Sequence, residues 1–295
     1  MSSSPLYGEA MEAPLLNLLP PVLRARGFRL YTGDGGRLVD LWQSGGRSIL
    51  GHNPATLSRE LKNYASRGLF SPLPHPQGRR FAKALSRLIP RRAFRVYADR
   101  FSLSQALEKA GFPSAGPFPD PVFSPLSGPP PSAGLSGGPS GPPVLWRPFL
   151  EPEEGAALLV PVLPWPPGPW VLALDPALED RFAPSPALAP VLLAVATRAV
   201  YDLIAAGPGG GRPVYPRINH ALYGTSAGPW RRRGPYLAHA SFLGASPPGP
   251  SWETLFRAFL REGFLIPPDP AEPLILPGIL SPGEEAKLAA LLSGA

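Results

Sequence analysis

Residues 26–41 have the sequence RGFRLYTGDGGRLVDL, and residues 50–54 have the sequence LGHNP. Apolar residues alternate with polar ones from Phe28 to Thr32 and again from Arg37 to Trp42, which is the period of a strand with one buried face. The four residues between these runs, Gly33-Asp34-Gly35-Gly36, contain an Asp-Gly pair that tolerates the positive φ angles of a tight turn. The segment therefore predicts a β-hairpin.

Helices are predicted after the hairpin from their capping residues. The expected N-cap residues are Asn53, Ser102 or Ser104, Ser251 and Ser281. Pro54 suits the first position of its helix, since the missing N–H of proline costs nothing there. Glu284, three residues after Ser281, completes a capping box. Amphipathic spacing predicts a further helix over residues 77–88, and a longer apolar one is expected from about Ala187 to Ala206.

Two apolar runs, Ala156 to Leu163 and Trp170 to Leu174, are typical of strands that are covered on both faces. Few helices are available between Phe94 and Ala206 to cover them. We therefore expect exposed apolar sheet surface, which normally marks an interface.

The Pro and Gly content is high and uneven. The chain has 295 residues with 44% hydrophobic residues, enough for one large domain or two modest ones, and its 45 prolines and 32 glycines are about a quarter of the total. They concentrate between Pro113 and Pro143, where large apolar side chains are few. Such a segment buries too little surface to offset the entropy lost on ordering, so residues 113–143 are expected to form a flexible linker or a collapsed insert.

Composition also excludes several classes of protein. With no cysteine, neither a disulfide framework nor a thiolate metal site can form. The four histidines lack the paired spacing of a helical zinc motif, so no metal site is expected. The first residues do not resemble a secretory signal, and the run from Ala187 to Ala196 is too short to span a bilayer. We expect a cytoplasmic protein without membrane association.

The net charge is +7, and the 28 basic residues include only four lysines. Arginine binds phosphate in a bidentate way, which is compatible with a nucleic-acid partner. The segment from Trp230 to Tyr236 holds three arginines between aromatic residues and is the best candidate for such a surface. A solvated loop is the preferred interpretation of the segment, because most runs of charge are wet surface, and a GC-rich genome explains the arginine excess. Nucleic acid is therefore not the expected partner.

Residues 26–41 and 50–54 together resemble the N-terminal signature of the class III pyridoxal-phosphate-dependent aminotransferases, which have fold type I. Residues 252–292 are similar to the C-terminal part of that family. The resemblance implies an α/β protein of reduced fold type I architecture, with a mostly parallel sheet domain and an α+β small domain.

The resemblance also implies a domain organisation. Residues 1–58 would form the N-terminal part of the small domain, residues 59–206 a reduced large domain with the insert at 113–143, and residues 207–295 the C-terminal part of the small domain. The chain would then be a truncated and degenerate member of the family.

The cofactor site that the resemblance implies is incomplete in this sequence. Family members hold pyridoxal phosphate through a lysine Schiff base. The lysines here are Lys62, Lys83, Lys109 and Lys287, and none lies where the family places its own. The resemblance makes Asp175 the candidate partner of the pyridine nitrogen, and Ser102 and Arg100 candidate contacts to the cofactor phosphate. Asp175 precedes Pro176 and can instead cap the following turn.

Three functions remain open at the level of sequence. The first is a catalytically inactive aminotransferase-like protein with a structural or partner-binding role, assembled as a homodimer or as a heterodimer with an aminotransferase-like partner. The second is a residual transaminase-type enzyme that still binds pyridoxal phosphate. The third is a basic scaffold that binds nucleic acid.

Overall fold

The structure is a computed structural model that describes residues 14–114, 116–123, 141–151, 155–207, 213–224, 228–243 and 251–294. The strands are β1 (Val22–Arg26), β2 (Arg29–Thr32), β3 (Arg37–Asp40), β4 (Ala93–Tyr97), β5 (Val144–Trp146), β6 (Leu158–Pro161), β7 (Trp170–Leu174), β8 (Trp230–Arg233), β9 (Tyr236–His239), β10 (Phe264–Leu265) and β11 (Leu274–Ile275). The α-helices are α1 (Ala55–Ala65), α2 (Gln77–Leu88), α3 (Arg100–Lys109), α4 (Pro190–Ala206), α5 (Pro216–Tyr223), α6 (Trp252–Arg261) and α7 (Pro282–Gly294). No helix in these ranges has both the length and the apolar surface needed to cross a bilayer.

The first sheet joins the two ends of the chain. Its strand order is β1-β2-β3-β10, and β2 and β3 form the predicted antiparallel hairpin, with Leu30 opposite Leu38. The C-terminal strand β10 lies parallel to β3, where Val39 N–H donates to Gly263 O over 2.8 Å. Leu30, Leu38 and Val39 belong to one apolar core with Phe256 and Phe264. Sequence-distant segments therefore share one core.

The second sheet has the order β4-β7-β6-β5 and lies between helices. The predicted α/β class is confirmed, but the sheet is not mostly parallel: β5 and β6 are parallel, whereas β6–β7 and β4–β7 are antiparallel. For β6 and β7 the reason is the length of the connection. Only residues 162–169 join them, and a parallel pair needs a crossover of a dozen residues or more.

Both faces of this sheet are covered within the chain. Leu103 and Leu107 of α3 pack with Leu172 on one face, and Phe81 of α2 packs with Val171 on the other, where α4 also lies. Every residue of β6 is buried. The expectation of an exposed apolar sheet was therefore wrong. Helix α2 lies before Phe94 and so outside the segment in which covering helices were expected, and α4 lies at the end of that segment.

The third sheet has the order β11-β9-β8. The expectation of a solvated loop was wrong for residues 230–233, which form strand β8 and pair antiparallel with β9. Trp230 is buried in the core that contains Phe259 and Trp252. The apolar contacts of Trp230 explain why this arginine-rich segment is ordered as a strand.

Some of the predicted caps are confirmed and others are wrong. Ser281 and Glu284 form the capping box, with reciprocal bonds of 3.3 and 2.8 Å, and the Ser251 side chain accepts from Thr254 N–H. Asn53 does not cap α1; it has a φ of 51°, and its side chain accepts from the Ser58 hydroxyl. Helix α3 is capped by Asp99 instead of Ser102 or Ser104, because the carboxylate accepts from Ser102 N–H over 2.7 Å.

The segment predicted to be a linker is partly packed. Phe118 lies against Trp170, and Val122 is buried in a cluster with Tyr236 and Ile275. Asp120 forms a buried ion pair with Arg147. A flexible linker over all of 113–143 was therefore wrong for residues 116–123, where two apolar side chains and one charge find partners, and the alternative of a collapsed insert fits these residues. Residues 124–140 lie outside the described part of the chain.

Candidate functional site

The three residues predicted from the resemblance do not lie together. In the β4–β7 ladder, Tyr97 is opposite Trp170 and Ala93 is opposite Leu174. Arg100 and Ser102 follow β4 and so lie near the Trp170 end, whereas Asp175 follows Leu174 at the other end. Five strand residues at about 3.3 Å each separate the two positions by roughly 17 Å along the strand. The structure therefore does not place Asp175, Ser102 and Arg100 in a common site.

The N-terminus of α3 is already occupied by protein groups. Asp99 supplies the carboxylate that accepts from Ser102 N–H. The Arg100 guanidinium donates to Gly116 O over 2.8 Å and lies 5.3 Å from the ring centre of Phe118. An anion favours the free N–H groups of a helix N-terminus. Here a carboxylate of the chain itself holds that position.

Asp175 caps the turn that follows it, which was the alternative to a cofactor contact. Its side chain accepts from Ala177 N–H over 2.9 Å and caps the 3-10 turn Pro176–Arg181. An aspartate before proline commonly makes this turn.

All four lysines lie on exposed helix surfaces. Lys62 belongs to α1, Lys83 to α2, Lys109 to α3 and Lys287 to α7. Lys287 forms a surface ion pair with Glu262 over 3.4 Å. A Schiff-base lysine must instead be held in a pocket where its amine is desolvated. None of the four lysines is therefore placed to hold pyridoxal phosphate as a Schiff base.

A buried group of charges joins the three sheets. Arg147 is 3% exposed; its Nε donates to Asp120 Oδ2 over 3.1 Å, and its Nη1 donates to Gly45 O. Burial acts to lower the pKa of Arg147, but Asp120 outweighs it, and the net shift is upward. Nearby Glu272 accepts from the Trp42 indole, and burial raises the pKa of its carboxyl. With these partners, the group serves to hold the sheets together.

A cleft of about 230 Å³ lies beside α1 and contains Arg47, which forms no ion pair with any other residue that the structure describes. The cleft is lined by Arg47, Ser48, Gly51, His52, Asn53, Pro54, Leu57, Ser58, Leu61, Pro164, Trp165, Pro166, Pro167 and Val195. The Arg47 guanidinium lies 4.3 Å from the ring centre of Trp170, and its Nη1 is buried without a hydrogen-bond partner. Burial lowers the pKa of Arg47 to about 10. A small carboxylate or phosphate would supply the missing partner.

His52 is the second polar group of this cleft. Its Nε2 lies 2.7 Å from Oδ2 of Asp40, a buried carboxylate that also accepts from the N–H groups of Trp42 and Gln43. The carboxylate fixes the orientation of the imidazole. The pairing with Asp40 gives His52 a structural role at the entrance to α1. Arg47 was missed, because nothing in its local sequence signals burial.

The arginine-rich strand β8 does not offer a nucleic-acid surface of the predicted kind. Trp230 is buried, so it cannot stack on a base. Arg232 donates to the Asn219 side chain over 2.6 Å, and Arg233 donates to Pro121 O.

Within the described residues, no group of three or more His, Asp or Glu side chains is arranged to hold a metal ion.

Comparisons with known proteins connect this architecture to others. No model of a protein family matches the chain. The chain is 31% identical over 201 residues to an uncharacterized protein of Treponema pallidum. These residues are 68% of this chain and 58% of that protein. It is 46% identical over 63 residues to an uncharacterized protein of Borreliella burgdorferi, covering 21% of this chain and 23% of that one. The chain thus spans less than two thirds of the length of either relative.

Solved structures are similar over nearly the whole chain. An omega-transaminase from Sphaerobacter thermophilus matches with a TM-score of 0.63 and 13% identity, over 93% of this chain and 90% of that one. A beta-phenylalanine aminotransferase from Variovorax paradoxus matches with a TM-score of 0.66 and 14% identity, over 92% and 86%. An acetylornithine aminotransferase from Elizabethkingia anophelis matches with a TM-score of 0.62 and 12% identity, over 94% of both chains. The chain therefore has the fold of these aminotransferases.

Proposed function

We propose that this chain is a non-catalytic protein of the aminotransferase fold, with a structural or partner-binding role. The observation that carries the proposal is the position of the four lysines, each on an exposed helix surface. Transamination through pyridoxal phosphate needs a lysine amine both to hold the cofactor and to move the substrate proton. None of these four amines is placed for either task.

Two further observations support the proposal. The carboxylate of Asp99 occupies the helix N-terminus at which a cofactor phosphate would bind, and Asp175 caps a turn at the far end of β7. A cofactor phosphate at the start of α3 would have to displace the Asp99 carboxylate, and Asp175 lies beyond the opposite end of the β4–β7 pair. Fold likeness alone does not carry function, so the proposal rests on these side chains.

The test is incubation of the purified chain with pyridoxal phosphate, followed by borohydride reduction and peptide mass spectrometry. We expect substoichiometric labelling spread over the exposed lysines and no stable visible absorption band. The control is the Lys62→Arg/Lys83→Arg variant, which should only reduce that labelling. A stoichiometric adduct on one lysine would instead establish the residual transaminase-type enzyme.

The partner-binding role rests on exposed apolar side chains near α1. Phe70 and Leu73, in the connection from α1 to α2, are 59% and 57% exposed, and Leu61 of α1 is also exposed. Exposed apolar groups that lie close together in the chain favour an interface over a solvated surface. The assembly that we propose is a homodimer or a heterodimer with an aminotransferase-like partner.

Light scattering at micromolar concentration, together with a pull-down from the native cell extract, tests this assembly. We expect a complex that the Phe70→Glu/Leu73→Glu variant disrupts. Ile279→Glu is the matched control, since Ile279 is a single exposed apolar residue on a different segment. A monomer that captures no partner would contradict the proposal.

A further inference from the structure

An open groove of about 550 Å³ runs between β1 and α1, next to the Arg47 cleft. Its lining residues are Arg24, Arg26, Asn53, Ala55, Ser58, Arg59 and Lys62. Asn53 and Ser58 line the cleft as well. Four of the seven lining residues are cations and none is an acid, so the groove concentrates positive charge in a concave surface.

Local geometry explains why the cations converge. Arg24 and Arg26 are two residues apart on β1 and so point to the same side of the strand. Arg59 and Lys62 are three residues apart on α1 and share one side of the helix. The two elements are held together by the backbone, because Gly27 N–H donates to His52 O over 3.1 Å.

Gly51 sets the closeness of β1 and α1. Its φ is +91°, and a Cβ at this position would lie 3.2 Å from Cα and O of Gly27. Glycine therefore permits both the backbone conformation and the close approach. The width of the groove follows from this contact.

The four cations are uncompensated within the described part of the chain. Arg24 lies over the Tyr31 ring at 5.5 Å, and none of the four forms an ion pair or a side-chain hydrogen bond there. By contrast, Arg29 on the neighbouring strand is paired with Glu284. The acidic residue of α1, Glu60, acts on Arg198 of α4.

We propose that this groove binds a small ligand carrying two or more phosphate groups. Arginine forms bidentate bonds to phosphate, and lysine adds a point charge. The first turn of α1 has no acidic residue and its N-cap makes no side-chain hydrogen bond, so the helix end adds to the positive potential. The volume falls within the range of small-ligand sites, roughly 300–1,000 Å³.

A small ligand fits the groove better than a nucleic-acid strand does. Proteins that bind single strands combine a basic track with aromatic side chains on which bases stack. The lining here contains no aromatic residue, and the ring of Tyr31 is covered by Arg24. The charges also converge on one concavity instead of following a line.

The experiment is calorimetric titration of the full chain with inorganic pyrophosphate at low ionic strength. The Arg59→Gln/Lys62→Gln variant should bind pyrophosphate at least about tenfold more weakly, since it loses two charge-assisted contacts. The matched control is Arg79→Gln/Lys83→Gln, which removes the same charge from an exposed face of α2 and should leave the affinity within about twofold.

Titrations with two other phosphate compounds test which kind of ligand the groove prefers. Orthophosphate should bind more weakly than pyrophosphate, and a single-stranded oligonucleotide should not compete at equal phosphate concentration. The proposal is overturned if the wild-type chain does not bind pyrophosphate, if both variants lose affinity equally, or if the oligonucleotide binds more tightly. Circular dichroism of each variant confirms that a loss of affinity does not reflect unfolding.

Discussion

Arg147 and Asp120 form an ion pair in which both side chains are buried, and this pair fixes residues 116–123 against strand β5. Replacing Asp120 with Asn leaves the guanidinium buried without a counter-charge. We expect a loss of about 3–5 kcal/mol in the free energy of unfolding, measured by urea denaturation. The Asp120→Asn/Arg147→Met variant should recover part of that loss, because it removes the charge as well. A single-variant loss below about 1 kcal/mol would contradict the pairing.

Gly51→Ala should destabilise the fold through a close approach as well as through backbone strain. The new methyl group would lie 3.2 Å from the backbone of Gly27 at a φ of +91°. The control is Gly35→Ala, which has a φ of +82° and no neighbouring atom within 4 Å. We expect about 1 kcal/mol for the control and at least twice that for Gly51→Ala. Equal losses in thermal unfolding would show that β1 and α1 are not in close contact.

Glu272 should make the fold less stable as the pH rises. Burial raises the pKa of its carboxyl above the ordinary value of 4.5, so the unfolded chain releases this proton at a lower pH than the folded one. The free energy of unfolding therefore falls as the pH rises from about 4.5 towards the folded-state pKa. Glu272→Gln keeps an oxygen that can accept from Trp42, and we expect it to be more stable than wild type at neutral pH. The difference should vanish below 4.5 in denaturation curves.

Glu284→Gln should have the opposite effect on the free energy of unfolding to Glu272→Gln. Burial acts to raise the pKa of Glu284, but its hydrogen bonds with Arg29 and Ser281 outweigh it, and the net pKa is lowered. The ionised carboxylate therefore stabilises the fold above the unfolded pKa, and this contribution is lost as the pH falls through the lower, folded value. We expect Glu284→Gln to be less stable than wild type at neutral pH. The same sign for both glutamine variants would contradict the two pKa directions.

Two parts of the Pro- and Gly-rich segment should differ in their effect on stability. Replacing residues 116–123 with Gly and Ser removes the buried side chains of Phe118 and Val122 and the ion pair of Asp120. We expect a loss of at least about 3 kcal/mol. Replacing residues 124–140 in the same way should leave thermal stability nearly unchanged, because their composition offers little apolar surface to bury. A comparable loss in both would show that composition misled this prediction.

Local signals in the sequence predicted local structure well. The hairpin at Gly33–Gly36 and the capping box at Ser281 depend on residues within a few positions of one another, and both are confirmed. Asn53 failed as a cap because it adopts a positive φ, which its neighbours in three dimensions determine. The strand directions were missed because the prediction considered each apolar run separately and not the length of the connection between them.

The candidate site depended almost entirely on long-range packing. Among the described residues Arg47 has no ion-pair partner, because the fold places it against Trp170, 123 positions later in the chain, and no local pattern carries that information. The groove beside it needs β1 and α1 to meet at Gly27 and Gly51. The resemblance to aminotransferases predicted the fold, yet it directed attention to Asp175 and Ser102, which lie beyond opposite ends of the β4–β7 pair.

The pairing of β3 with β10 has a consequence for biosynthesis. Val39 is opposite Phe264, so more than 220 residues must be translated before the N-terminal hairpin gains its neighbouring strand. At about 5–20 residues per second, the hairpin waits roughly 10–45 s on the ribosome with its apolar face uncovered. During that interval the nascent chain depends on chaperones or on transient collapse to avoid pairing with another copy.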